Sequence, residues 1–526
     1  MGGPEADSEQ GPLLGPPAGE WHTEHKVHSA DDDEEAARGI QWSRLAWSLV
    51  PWFITAPLGK TERTLPRVTS TTYLNGLRGV ACLIVYNYHV MISFNAPLKA
   101  ELGTVLFANV AVAGHGATMV FFVLSGFVLS YSPLAKISSP DADASSSSSS
   151  SAQLLTSLWS SVIRRGLRLF SPLVALACML ALITFFTPAY DPLPGLPWAQ
   201  DGTFSGFFNH LATYATNVSY LLDPFTWSIM QLPTLEHCWT LPFEYRGSFV
   251  VFLLCLACAR LTPRSRKLLL VAFALWALHW VRWDVFCFTA GTFLAELRFQ
   301  PLLPLSVAFS SSASSSAREQ EQQLPTTETA TELDPDATTT TPRRPWARLT
   351  RSIPRRHHLL AFLALIPSIL VCAWPDGAEE GTVQPYATLH ATFTPSHYAG
   401  PDIDFLYASV GALMVLASLE ALPPAQWLLS TAPFRYLGEI SFSFYLLHYA
   451  HISIIGTRTI VFLYATCGWD HGSAFALTWV LTAAVCVFAS DLFWRGVDET
   501  SVRLSRGISD WLIVRPRENE VVYHAL

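Results

Sequence analysis

"YLNGLRGVACLIVYNYH" (residues 73–89) is an apolar run of membrane-spanning character that keeps an arginine near its start and a histidine at its end. Arg78 and His89 stand eleven residues apart. At 3.6 residues per turn that is close to three whole turns, so both side chains share one helix face, roughly 16 Å apart along the axis. Asn75, Cys82 and Tyr86 fall on or near that face, with Val80, Leu83, Ile84 and Val90 elsewhere. A charge at mid-membrane costs about 2.5–3.5 kcal/mol on insertion scales, so such residues face a bundle interior or a wet cavity. Alone, the pattern also fits an arginine anchoring one end of a span and a histidine bonding a neighbouring helix.

The surrounding chain has the same character. Of 526 residues, half are hydrophobic and 14% charged, against about 25% charged in ordinary soluble proteins. The net charge of −8 argues against a nucleic-acid partner. Cys82, Cys178, Cys255, Cys258 and Cys486 lie in apolar runs without CxxC pairing, as small buried hydrophobes rather than metal ligands or a disulfide framework. Apolar segments near the ~20 residues needed to cross a bilayer recur at 74–94, 115–134, 167–188, 239–260, 267–282, 284–299, 358–375, 404–422, 439–463 and 474–494. The expected fold is therefore all-α: about ten transmembrane helices in one bundle.

The expected organisation is a tail over 1–70, a membrane domain over 71–496 and a second tail over 497–526. No secretory signal is expected at the start. "IQWSRLAWSLVPWFIT" (40–55) reads as a helix lying on the membrane surface. The serine run within 136–158 and the Ser/Thr/Glu-rich stretch within 304–356 read as flexible inserts. Lys and Arg cluster in alternate connections, whereas 169–245 and 357–434 contain neither. By the positive-inside rule both termini are then cytoplasmic. The sequon at Asn217 falls on the opposite side, as a glycosylation acceptor should.

Further polar positions recur inside the spans. "FFVLSGFVLS" (121–130) carries Ser125 and Gly126, a small pair that permits close helix approach. "RRGLR" (164–168) puts Arg165 and Arg168 on one helix face at the basic end. "HCWTLPFEYRGS" (237–248) places Glu244 and Arg246 just inside the fourth span, and "LGEISFSFYLLHYAH" (437–451) aligns Ser441, Tyr445 and His448. "HWVRWD" (279–284) has an H-x4-D spacing that suggests a soluble-sided acyltransferase. It sits at the hairpin away from the basic face, and a catalytic role is declined.

Taken in order, these motifs resemble acyltransferase family 3, a family of integral membrane proteins. The resemblance rests on Arg78 and His89, FFVLSGF, Arg165 and Arg168, Trp239 to Glu244, and Ser441 to His448, over roughly 70–495. It is nearest to filamentous fungal members. It implies acyl transfer, usually acetyl, from acyl-CoA to a hydroxyl or amine, and a ten-span bundle whose first-span arginine and histidine are needed for activity. Acyl-CoA is then the donor substrate, with no bound cofactor or metal expected, and the acceptor is a small molecule, lipid or sugar.

The expected assignments follow. His89 is general base or acyl carrier, with Arg78 and Glu244 beside it. Arg78, Arg165, Arg168 and Ser125 hold the donor. Trp239, Arg246, Ser441, Tyr445 and His448 support the acceptor half. Intramembrane Arg, His and Glu suit a proton-coupled carrier equally well, but the chain shows no inverted repeat or paired broken helices. A non-catalytic scaffold would tolerate replacement of His89.

Overall fold

The structure is a computed structural model that describes residues 47, 50–60, 64–138, 147–186, 204–225, 235–301, 355–375 and 383–512. The chain divides into two units, Met1–Glu62 and Arg63–Leu526. In the first, the helix expected over 40–55 is reduced among described residues to one turn, Trp52–Thr55. It begins directly after Pro51, whose fixed φ suits a helix start.

The second unit is helical throughout its described residues. Helix α1 (Thr72–Phe94) ends at Asn95, whose side chain accepts a hydrogen bond from the Leu98 N–H and so caps α2 (Ala96–Thr104). Next come α3 (Gly114–Ile137), α4 (Ser147–Phe186) and α5 (Phe204–Leu221). A 3₁₀ turn, Glu236–Trp239, leads into α6 (Thr240–Cys258), with Pro242 in the first helical turn, where its missing N–H removes no bond. α7 (Pro263–His279) and α8 (Trp283–Phe299) form a hairpin. They are followed by α9 (Arg355–Cys372), α10 (Tyr386–Phe393), α11 (Pro401–Glu420), α12 (Pro423–Leu429) and α13 (Ala432–His451). The chain continues from α13 through a π-helical turn at Ile452–Gly456, α14 (Thr457–Val461) and a second π turn at Phe462–Thr466. α15 (His471–Phe493) and α16 (Glu499–Leu512) complete the unit.

Seven helices among the described residues are long and apolar enough to cross a membrane, in segments beginning at Thr72, Gly114, Leu154, Glu236, Pro401, Ala432 and His471. The expected count of about ten is therefore not confirmed. The other three segments are helical but short. α7 and α8 have 17 residues each, about 26 Å at 1.5 Å per residue, against a hydrocarbon core of about 30 Å. α9 offers only His358–Cys372 as a shorter apolar helix.

The expected inserts also differ. Residues 147–158, assigned to a flexible segment, already belong to α4, because Leu154 and Leu158 share a face and are buried. Most of 304–356 lies outside the described residues, as do 139–146 and the end of the chain from 513. Outward positions on the spans are apolar and exposed: Leu182 and Ile183 on α4, Leu253 on α6, Leu481 and Phe488 on α15. With the buried core between the helices, that surface is one a lipid phase would cover, and the protein is a multi-pass membrane protein.

Two helix crossings position the interior. At Gly126 of α3 an added Cβ would lie 2.2 Å from the Phe288 carbonyl oxygen of α8. At Gly438 of α13 it would lie 2.2 Å from the Asn75 carbonyl oxygen of α1. Nothing larger than glycine fits either crossing, and the second brings α1 and α13 close enough for their polar faces to bond directly.

Candidate active site

The α1–α13 crossing is polar from end to end. Arg78 donates from Nε to Ser441 Oγ (2.8 Å) and from Nη2 to the Gly438 carbonyl (2.7 Å). Asn75 donates to Glu439 (2.7 Å) and the Cys82 thiol reaches the Ser441 carbonyl (3.2 Å). Tyr86 bonds the Trp479 carbonyl of α15. The periodicity thus placed the stripe correctly. Val90, expected away from the interior, is also fully buried, because α2, α13 and α15 enclose the far end of α1.

At that far end three imidazoles meet. His89 Nδ1 lies 2.9 Å from the Val85 carbonyl and 3.2 Å from His448 Nε2. His448 Nδ1 lies 2.6 Å from the Tyr445 carbonyl. His237 packs against His448 at 4.7 Å between ring centroids and places Nε2 3.1 Å from the Leu446 carbonyl. Carbonyl oxygens only accept, so the neighbours assign the tautomers. His448 carries its proton on Nδ1, which leaves Nε2 as a lone pair. His89 in turn carries its proton on Nδ1, shared between Val85 and that lone pair. His89 Nε2 is left unprotonated, with no hydrogen bond to the described residues.

Around this core, Tyr445 bonds Thr240 Oγ1 (2.7 Å) and the His237 carbonyl. Tyr449 stands edge-on to His89 at 5.8 Å and donates its hydroxyl to Glu236. Ser441 and His448 therefore meet α1, and Tyr445 meets α6. His237, Glu236 and Tyr449 were not singled out in the sequence, although each adjoins or opens a quoted motif. Single polar residues beside Trp and Tyr carry no periodic signal, and the 3₁₀ turn that aims His237 is a local departure from helical spacing.

The other expected residues divide. Glu244 is gripped by Arg165 Nη2, and both its oxygens accept from Ser125 (3.0 and 2.8 Å). Arg165 also donates to Ser248. Arg165 and Ser125, assigned to donor binding, are thus engaged in tying α4 and α3 to α6. Arg168 is exposed, makes no ion pair among the described residues and lies within the field of Arg78. Trp239 joins an aromatic stack with Phe243, Trp283 and Phe405 rather than the histidines. Asn217 is half-buried within α5.

Glu244 and Arg246 diverge, because residues two apart point to different sides of a helix. Arg246 bonds Asp284 (2.8 Å), and Arg282 bonds the same oxygen (3.0 Å). The declined "HWVRWD" motif is thereby a helix-pairing device. Asp284→Ala strips a nearly buried arginine of its carboxylate. We expect thermal unfolding of the purified chain in detergent to show a loss of about 3–5 kcal/mol, as for other broken buried pairs.

Comparison with known proteins agrees with the motif order. Residues 71–317 match the family model for the acyltransferase domain of family 3. Over that region the chain is similar to acyltransferase family 3. It is 24% identical over 467 residues to O-acetyltransferase PaAT-1 of Phomopsis amygdali, covering 83% of this chain and 84% of that protein. It is 22% identical over 475 residues to Acyltransferase R4 of a Phoma species, covering 81% of this chain and 92% of that protein. No solved structure matches it. The protein is an acyltransferase, and the matched region contains Arg78, His89, His237 and Glu244.

Proposed function

We propose that the enzyme transfers an acetyl group from acetyl-CoA to a hydroxyl of its acceptor, with His89 as general base. The observation that carries this reading is the tautomer chain. Tyr445 fixes His448, His448 fixes His89, and the remaining His89 lone pair is free to take a proton. The name of the Phomopsis relative supports oxygen as the receiving atom and acetyl as the group.

The reaction balances on these groups. His89 Nε2 removes the acceptor O–H proton as the oxygen attacks the thioester carbonyl. The C–S bond then breaks, and the departing thiolate takes the proton back from the imidazolium to give CoA thiol. His89 Nδ1–H keeps its bond to His448 throughout, which stabilises the transient positive charge. A positioned base of this kind contributes about 10²–10⁴-fold.

The donor's phosphates would meet the arginine-bearing end of α1, in keeping with the cytoplasmic orientation expected for the basic connections. Arg78 is half-buried, with Nη1 unbonded to the described residues, and Arg168 is exposed beside it. Guanidinium forks suit phosphate oxygens. The corresponding test uses purified enzyme in proteoliposomes, with thiol release from acetyl-CoA as readout. Arg168→Ala should raise the donor KM by about tenfold or more, since a hydrogen bond to a charged group contributes ~1.5–3 kcal/mol. Lys136→Ala, exposed on α3, should leave KM unchanged. Equal effects would contradict a phosphate site at Arg168.

A further inference from the structure

Beyond His89, α1 and the irregular end of α13 enclose a cavity of about 450 Å³, within the range of small-molecule sites. Its walls are apolar at Phe94, Ile452, Ile460 and Val461, with hydroxyls from Ser93, Ser453, Thr457, Tyr449 and Tyr464 and the imidazole of His471. The Tyr449 and Thr457 hydroxyls already donate to Glu236 and the Ile452 carbonyl. No carboxylate, lysine or arginine lines it. Two of the three π-helical turns described after α13 border it: Ile452–Gly456 supplies Ile452 and Ser453, and Phe462–Thr466 supplies Tyr464, while Trp494–Asp498 lies elsewhere. Such turns are rare and frequently mark functional sites.

Two observations connect the cavity to the imidazoles. Ser93 lines it and stands four residues after His89, on the same face of α1 and about 6 Å further along the axis. Tyr449 lines it as well, and its ring stands edge-on to His89. The outer rim is exposed at Tyr464, so the cavity opens at the bundle surface, at the end of α1 away from Arg78.

We propose that this cavity binds the acceptor, and that the acceptor is a lipophilic alcohol whose apolar body fills it with the hydroxyl directed past Tyr449 toward His89. The inference rests on the acyl-transfer reading above and adds the acceptor's chemical class and route. A sugar requires several convergent polar groups free to replace its water, whereas here two of the hydroxyls already donate within the protein and the rest, with the His471 imidazole, stand on an aliphatic and aromatic wall. An amphiphile dissolved in the surrounding lipid needs only the reverse: apolar contact along its body and one polar tip. Donor and acceptor would then enter from opposite ends of α1 and meet at the histidine.

The test uses the purified full-length chain in detergent and a diazirine-bearing hexadecanol as photoreactive probe. Saturable labelling of the segment 449–464 is expected, together with its loss in Ser453→Phe and in Ile460→Phe, two variants that fill the cavity without adding charge. Retained binding of a CoA analogue shows that each variant is folded. Non-saturable labelling, or labelling unchanged by both substitutions, overturns the inference. Displacement of the probe by glucose would also overturn it, in favour of a polar acceptor. The acyl-transfer reading fails separately: saturable labelling without any His89-dependent thiol release from acetyl-CoA would leave the cavity as a lipid-alcohol site in a protein of different activity.

Discussion

His89→Ala should lower kcat for acetyl transfer by about 10²–10⁴-fold, while binding of a CoA analogue and the unfolding temperature stay near wild type. The side chain is half-buried, and among the described residues its hydrogen bonds run to a backbone carbonyl and to His448. Removing it therefore leaves no buried charge behind. Near wild-type turnover in the purified variant would exclude the base assignment. The pH profile offers a second readout. Deprotonation of the acceptor requires the neutral imidazole, so kcat/KM should rise with pH to a plateau in the wild type, and His89→Ala should flatten that limb. A stable acetyl group on His89, trapped by acid quench and located by mass spectrometry, would instead make the imidazole a nucleophile.

The second large effect belongs to a residue that does not touch the reacting atoms. His448→Leu removes the lone pair that holds His89 Nδ1–H in place. His89 then rotates or changes tautomer, and kcat should fall by about 10²–10⁴-fold with little change in donor KM. Loss of the partner that fixes a catalytic histidine's tautomer has an effect of this size in serine proteases. His448→Gln separates this positioning role from packing. A glutamine amide can donate to the Tyr445 carbonyl and accept from His89, so it should restore much of the lost rate. Equal activity of the leucine and glutamine variants would show that His448 only fills space.

Arg78 and Arg165 illustrate how two residues of one type diverge. Both stand near the arginine-bearing end and both looked like phosphate ligands in the sequence. Arg165 meets Glu244 across a helix interface and pairs with it. Arg78 hydrogen-bonds a hydroxyl and a carbonyl, with Glu439 and Asp498 acting on its charge from a distance rather than as ion-pair partners. Sequence spacing put Arg165 and Arg168 on one side of α4, but it could not say which would be paired, because the partner lies 79 residues further on.

What the sequence settled by itself is whatever depends on periods shorter than one helix. Apolar runs close to bilayer length fixed the all-helical membrane class, and eleven residues at 3.6 per turn set Arg78 and His89 on one face of α1. The Ser441–Tyr445–His448 face followed in the same way, and the motif order indicated the family. Tertiary structure decided everything that requires two distant segments to meet. It brought His237 and His448 to His89 and turned Arg246 away from Glu244 toward Asp284. It also bent the chain after α13 into the π turns that border the cavity. Helix periodicity is a local property of the backbone, whereas a hydrogen bond between side chains hundreds of residues apart depends on where glycines such as Gly438 let two helices touch.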